Sequence, residues 1–231
     1  MKIDETKTIK KADGKKYTIR MSRKRYFFPD EWIKFMKYVN NERYYILYVS
    51  LVNTGARIME MLHVKPQDFN FDRGTITLKV TKKRAAKKNY SLGGSRTFFV
   101  TDKYLRQIKK YIKDKKIKND EYIFMDNKKL PENYDQLENK EKKKYFNRYK
   151  VNAHNTLKRK LKQALFDDWY NFSLHNIRKT YGNWMKCFID INELCFRLGH
   201  DMQTFMNNYG SANIFDTSDK SKIIRILGDI K

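Results

Sequence analysis

The chain has 231 residues, long enough for one large domain whose core could be drawn from its 40% hydrophobic residues. Its 51 lysines and arginines against 26 acidic residues leave a formal net charge of +25, spread from Lys2 to Lys231; this points to a nucleic acid partner rather than a membrane surface, which would want the charge on one amphipathic helix. The longest apolar run, Tyr44 to Val52, is too short to cross a bilayer, no signal-peptide core follows Met1, and Cys187 and Cys195 offer neither a disulfide framework nor a four-ligand zinc site, so a basic globular protein of the cytoplasm (of the host cell, if viral) is expected.

Residues 1–25 are polar and basic without apolar periodicity and read as a flexible arm; residues 26–231 read as the folded domain. Phe28-Pro29-Asp30-Glu31-Trp32 opens a helix, with Asp30 as its expected cap and Trp32, Phe35, Met36 and Val39 on one face. A second helix, roughly Glu42 to Thr54, is apolar nearly all round and belongs at the centre of the core. Gly55 interrupts it, and Arg57 to His63 resumes helical spacing.

The pattern then changes to period two. Thr75 to Val80 alternates, and so does Arg96 to Val100 after Gly93-Gly94, which predicts a β-hairpin. Its connection, about Lys82 to Ser95, carries four lysines and an arginine. Lys103 to Lys116 is helical through Leu105, Ile108 and Ile112, whereas residues 126–150 are dense in charge and predict an exposed loop or a solvated helix. Thr156 to Phe166 predicts a basic amphipathic helix, further helices follow from Leu174 to Tyr209, and Lys220 to Ile230 forms a terminal one. The predicted fold class is mainly α with a small antiparallel β-sheet.

Three short stretches bear chemistry, and each has an ordinary reading by itself. Thr54-Gly55-Ala56-Arg57-Ile58-Met59-Glu60 could be a helix break followed by a surface ion pair. His175-Asn176-Ile177-Arg178 sets an imidazole and a guanidinium on one helix face. Leu198-Gly199-His200 has the form of a helix end with glycine near the cap. Tyr209 follows His200 by nine residues.

It is the order that is informative: Arg-x-x-Glu after Thr-Gly, a lysine-bearing hairpin, His-x-x-Arg, Leu-Gly-His, and then a tyrosine. This series resembles the tyrosine recombinase (phage integrase) family over roughly residues 27–211, and the stretch Leu62-His63-Val64-Lys65-Pro66-Gln67-Asp68-Phe69 is similar as well. The resemblance implies that family's catalytic-domain fold and a site-specific DNA recombinase or integrase, working as a homo-tetramer on two double-stranded DNA sites, as in viruses and mobile elements. It implies a covalent 3′-phosphotyrosine intermediate, with no cofactor, metal or ATP.

The residue types suit such chemistry. Arg57 and Arg178 would each present a planar fork of donors to phosphate oxygens that gain charge in the transition state. Tyr209 would be the nucleophile, splitting one displacement into two. A lysine of the hairpin would protonate the departing 5′ oxygen as general acid. The family places a mobile lysine where the first strand runs into the connection, which selects Lys82, with Lys83 second and Lys79 on the strand itself. His175 and His200 would hold or shuttle protons beside the non-bridging oxygens, and Glu60 would orient a guanidinium or a neighbouring histidine. No carboxylate cluster suited to magnesium accompanies them.

Three departures from the family stand out. Residues 1–25 cannot build the N-terminal helical domain that most members carry, the hairpin connection is longer than usual, and Lys179 follows Arg178 where relatives commonly have histidine. Two other activities compete: a type IB-like topoisomerase using similar groups on one duplex, and a DNA-binding module without catalysis. The short spacing from Leu-Gly-His to Tyr favours the recombinase over the first, and the presence of the full set over the second. The terminal helix, apolar on one side, resembles the family's C-terminal helix, which docks on a neighbouring protomer, although docking on its own domain is equally allowed.

Overall fold

The structure, a computed structural model, describes residues 6–10, 16–20, 25–79, 94–209 and 215–230. It is built mainly of helices around one core, with a three-stranded antiparallel sheet on one side and a separate two-stranded hairpin at the N-terminal end. That hairpin pairs β1 (Thr6–Lys10) with β2 (Lys16–Arg20), Thr6 opposite Arg20 and Lys10 opposite Lys16. Part of the stretch expected as a flexible arm therefore takes regular structure. Its short alternating runs, Thr-Lys-Thr-Ile and Tyr-Thr-Ile, hold the β-branched residues that strands favour.

Residues 25–28 form a strap that ties the start of the domain to its centre. Arg25 pairs with Glu31 and Asp168, at 2.5 and 2.8 Å. The Phe27 N–H donates to Thr180 Oγ1 and the Phe27 carbonyl accepts from Trp184 Nε1. The Phe27 ring packs among Trp32, Phe35, Phe166 and Phe172. Helix α1 (Pro29–Met36) follows, with proline at its first position and Phe28 as N-cap. Asp30 is not the expected cap: Glu31 reaches back to the Phe28 N–H, and Asp30 instead pairs with Lys222, at 2.6 Å.

Helix α2 (Glu42–Thr54) matches its predicted bounds and is buried without interruption from Ile46 to Thr54. Asn41 caps its start and Gly55 ends it in the left-handed conformation. After α3 (Ile58–Leu62), the sheet is assembled from β3 (Phe69–Asn70), β4 (Thr75–Lys79) and β5 (Ser95–Phe99) in that spatial order, with Thr75 opposite Phe99 and Lys79 opposite Ser95. The hairpin is as predicted; residues 80–93, and with them Lys82 and Lys83, lie outside the described residues.

Helix α4 (Asp102–Asp114), capped by Thr101, packs on α2. Helix α5 (Asn139–Gln163) is one 25-residue helix, where separate predictions gave a charged stretch to residue 150 and a helix from Thr156. Charge hid its first half, because only Phe146 and a few other apolar side chains there turn inward. Phe146 stacks on His63 at 3.7 Å and joins α5 to α3. The remaining helices are α6 (Leu174–Met185), α7 (Ile191–Leu198), α8 (Met202–Tyr209) and α9 (Thr217–Leu227). Helix α9 begins three residues before its predicted start and packs on its own domain, burying Ile223 and Leu227, with Thr101 Oγ1 donating to the Leu227 carbonyl. No helix of the described residues is long and apolar enough to cross a membrane.

Candidate active site

The site forms where three helix ends meet. At the end of α2, Gly55 takes φ +60°, a conformation that side chains with a Cβ disfavour. A Cβ here would stand 2.3 Å from Tyr181 Cδ1 and 2.9 Å from Leu198 Cδ2, both buried side chains. The turn therefore lies directly against α6 and the end of α7. It sends Arg57 out as N-cap of α3, with its side chain partly exposed.

Arg178, on the second turn of α6, is only 1% exposed. Its Nη1 donates to the Gly55 carbonyl at 2.6 Å and its Nη2 to the Leu198 carbonyl. One guanidinium thus spans the Thr-Gly-Ala-Arg turn and the Leu-Gly-His turn. Gly199 ends α7 with φ +58°, and the His200 N–H donates back to the Cys195 carbonyl, so His200 leaves the helix partly buried, with both ring nitrogens covered by the protein.

Glu60, 1% exposed, faces two arginines. Its Oε1 accepts from Arg57 Nη1 at 2.8 Å and from Arg96 Nη1 at 3.3 Å; its Oε2 accepts from Arg96 Nη2 at 2.7 Å and from the Arg57 N–H at 2.9 Å. Burial alone would raise its pKa. The Arg96 hydrogen bonds and charge, with the Arg57 charge and N–H, outweigh that and hold the carboxyl down to about 2.

His175 sits one turn before Arg178 on α6 and keeps an exposed face. Crowding by surrounding protein, followed by the cations Arg178, Lys179 and Arg57, lowers its imidazole to about 4. That influence of Arg57 brings His175, Arg57 and Arg178 into one electrostatic neighbourhood. Tyr209 is the last residue of α8, which packs against α6 and α7. Lys79, the third hairpin candidate, pairs with Asp68 at 3.3 Å.

The fold thus brings together the ends of the elements that carry Arg57, Glu60, His175, Arg178 and His200, and Tyr209 ends a helix that packs on two of those elements, α6 and α7. The model of the phage integrase family matches residues 25–214. The chain belongs to the phage integrase family. Compared by sequence with curated proteins, it matches none. Among solved structures it is similar to XerA recombinase, with 16% identity, a TM-score of 0.57, and 90% of this chain against 66% of that one. The Tn1549 transposon integrase in complex with transposon right end DNA gives 16% identity and a TM-score of 0.60, over 89% of this chain and 66% of that one. XerH site-specific recombinase bound to difH substrate gives 18% and 0.56, over 92% and 58%. The chain thus spans 58–66% of the length of these proteins, with which it shares the fold.

Beyond the residues that mark a phage integrase in sequence, the structure adds Arg96. The strand alternation carried a signal for it: Arg96 shares its face of β5 with Phe98, so a lone guanidinium points into the core. Arg197, buried at the end of α7, pairs with Glu193 and donates to the Phe99 carbonyl, which secures that helix end to the sheet. Of the histidines without a sequence-assigned role, His63 is held by the Met59 carbonyl and the Phe146 ring. Among the described residues, no group of three or more His, Cys, Asp or Glu could hold a metal ion.

Proposed function

We propose that this chain is the catalytic domain, residues 26–231, of a site-specific DNA recombinase or integrase of a virus or mobile element, acting on double-stranded DNA in the cytoplasm. The observation that carries the reading is the placement of Arg178 across the carbonyls of Gly55 and Leu198, which draws three separated motifs onto one anion-binding surface. Arg57 and Arg178 take the non-bridging oxygens of the scissile phosphate. The Tyr209 Oη attacks phosphorus, a P–O bond to the tyrosine forms, and the bond to the 5′ oxygen breaks. Lys82, with Lys83 as the alternative, gives the leaving 5′ oxygen its proton.

His175, lowered to about 4, is neutral at pH 7 and so is suited to accept the tyrosine proton. His200 donates to a non-bridging oxygen. Reversal by the 5′ hydroxyl of a second strand returns the proton to the lysine and rejoins the backbone. The bond energy is kept throughout, so neither ATP nor a metal enters. Exchange between two duplexes requires four such domains, arranged as a homo-tetramer.

The test is a nicked suicide duplex in EDTA, comparing the wild type with Tyr209→Phe on denaturing gels. Cleavage beside the nick frees a short fragment, so a covalent protein–DNA adduct accumulates with the wild type and is absent with the variant. An adduct that persists in Tyr209→Phe overturns the assignment of the nucleophile. DNA binding without any adduct from the wild type, across varied sequences, overturns the reading of this chain as a self-sufficient catalyst.

A further inference from the structure

We infer that Arg96 is a positioning residue of this site, keeping Arg57 available to phosphate and setting the turn that presents His200. The inference rests on the recombinase reading above. Arg96 is 5% exposed, on the inward face of β5, and its charge is already met by the buried Glu60 carboxylate, so it serves the protein rather than the phosphate. Its two terminal nitrogens grip both oxygens of Glu60, and its Nε donates to the Arg197 carbonyl at 2.8 Å, two residues before Gly199. A Cβ on Gly199 would lie 3.5 Å from Arg96 Nη1, so the guanidinium rests against the turn that leads to His200.

The charge balance gives this contact its consequence. Glu60 Oε1 is shared by Arg57 and Arg96, and the two arginines with one carboxylate leave one net positive charge. Arg96 supplies two of the four hydrogen bonds to the buried carboxylate, one on each oxygen, and a full countercharge, so Glu60 orients Arg57 without neutralising it. With Arg96 neutral, the same carboxylate would face Arg57 alone. Arg57, already 2.8 Å from Glu60, would then be its sole countercharge, and the trio would offer the scissile phosphate no net charge. The Arg197 carbonyl would lose its donor in the same step, releasing the Gly199 turn.

Arg96→Gln and Arg96→Lys test this in single-turnover cleavage of the nicked duplex. A second duplex carries a methylphosphonate at the scissile position; being neutral there, it asks less of Arg57. With the ordinary phosphate, Arg96→Gln is expected to cleave about 10- to 100-fold more slowly, the scale of a small misplacement of a catalytic group. Arg96→Lys, which restores the charge but not the fork, should recover part of that loss. Duplex affinity should stay within about twofold for both, since Arg96 commits its donors to Glu60 and the Arg197 carbonyl and adds no backbone contact of its own. On the methylphosphonate the defect should shrink severalfold.

A folded Arg96→Gln that cleaves the ordinary phosphate at the wild-type rate overturns the inference. So does a defect of equal size on both substrates, which marks general loss of structure. If Arg96→Gln fails to fold, the ratio of the two substrates with Arg96→Lys decides by the same criterion. A wild type that forms no adduct overturns the recombinase reading, and this inference with it.

Discussion

Gly55→Ala tests whether the end of α2 is held by close packing. Two costs are separable. Alanine at φ +60° loses about 1–2 kcal/mol to backbone strain. The added methyl would also stand 2.3 Å from Tyr181 Cδ1 and 2.9 Å from Leu198 Cδ2, and neither buried side chain has room to retreat. Overpacking of this kind costs about 1–3 kcal/mol, so the sum is roughly 2–5 kcal/mol. For a chain of this size that lowers Tm by on the order of 4–20 °C. Gly74→Ala is the internal control: its φ is +72°, but the nearest atom is Leu105 Cδ1 at 3.5 Å, so it carries strain without the clash. Urea unfolding of both variants isolates the packing cost as their difference. Equal midpoints would refute the argument that the Gly55 turn lies hard against α6 and α7. The Gly55 carbonyl accepts from Arg178, so Gly55→Ala should also cleave more slowly than Gly74→Ala at matched stability.

Two further outcomes follow from the electrostatics. The Glu60 carboxyl is held down to about 2 from an ordinary value of 4.5, so its contribution to stability is present above pH 4.5 and is lost as pH falls toward 2. That contribution is roughly 3 kcal/mol, and Glu60→Gln should flatten the acid limb of a stability–pH curve measured by urea unfolding; an unchanged slope between pH 4.5 and 2 would sink the claim. His175, lowered from 6.5 to about 4, should titrate by NMR well below free histidine in the DNA-free protein, and Arg57→Ala should raise its midpoint by removing one of the cations near it. Its sign in stability is the same: folding resists protonation of this ring, so stability falls as pH drops through 6.5 toward 4.

Much of this was legible in the residues because several local signals agreed. Helix α2 could be bounded to the residue since its apolar run starts after a capping Asn41 and stops at a glycine. The β4–β5 hairpin showed its period of two directly. The Arg57, Arg178 and His200 stretches were found through their order along the chain, while the contacts between their turns are tertiary and left no local trace. Helix α5 was split in prediction because eight lysines mask a narrow inward stripe, which tertiary packing then completes. Arg96 was overlooked although its position on the apolar side of a strand is unusual for a charge. The cap of α1 shifted from Asp30 to Phe28 because a glutamate in the first turn can serve the same N–H from within the helix.

The anchor of Arg178 is made of peptide oxygens. No substitution deletes a main-chain carbonyl, so this anchor is exposed to mutation only through the path of the backbone that carries it. That path is set by two left-handed glycines, Gly55 and Gly199, one at each side of the guanidinium. In the proposed reaction, attenuation by degrees, without removing any reacting group, is therefore open at those two turns: each small rotation of a helix end shifts the distance the guanidinium must span. If cleavage proceeds as proposed, a graded series of its rates is tuned there with the chemical groups left intact.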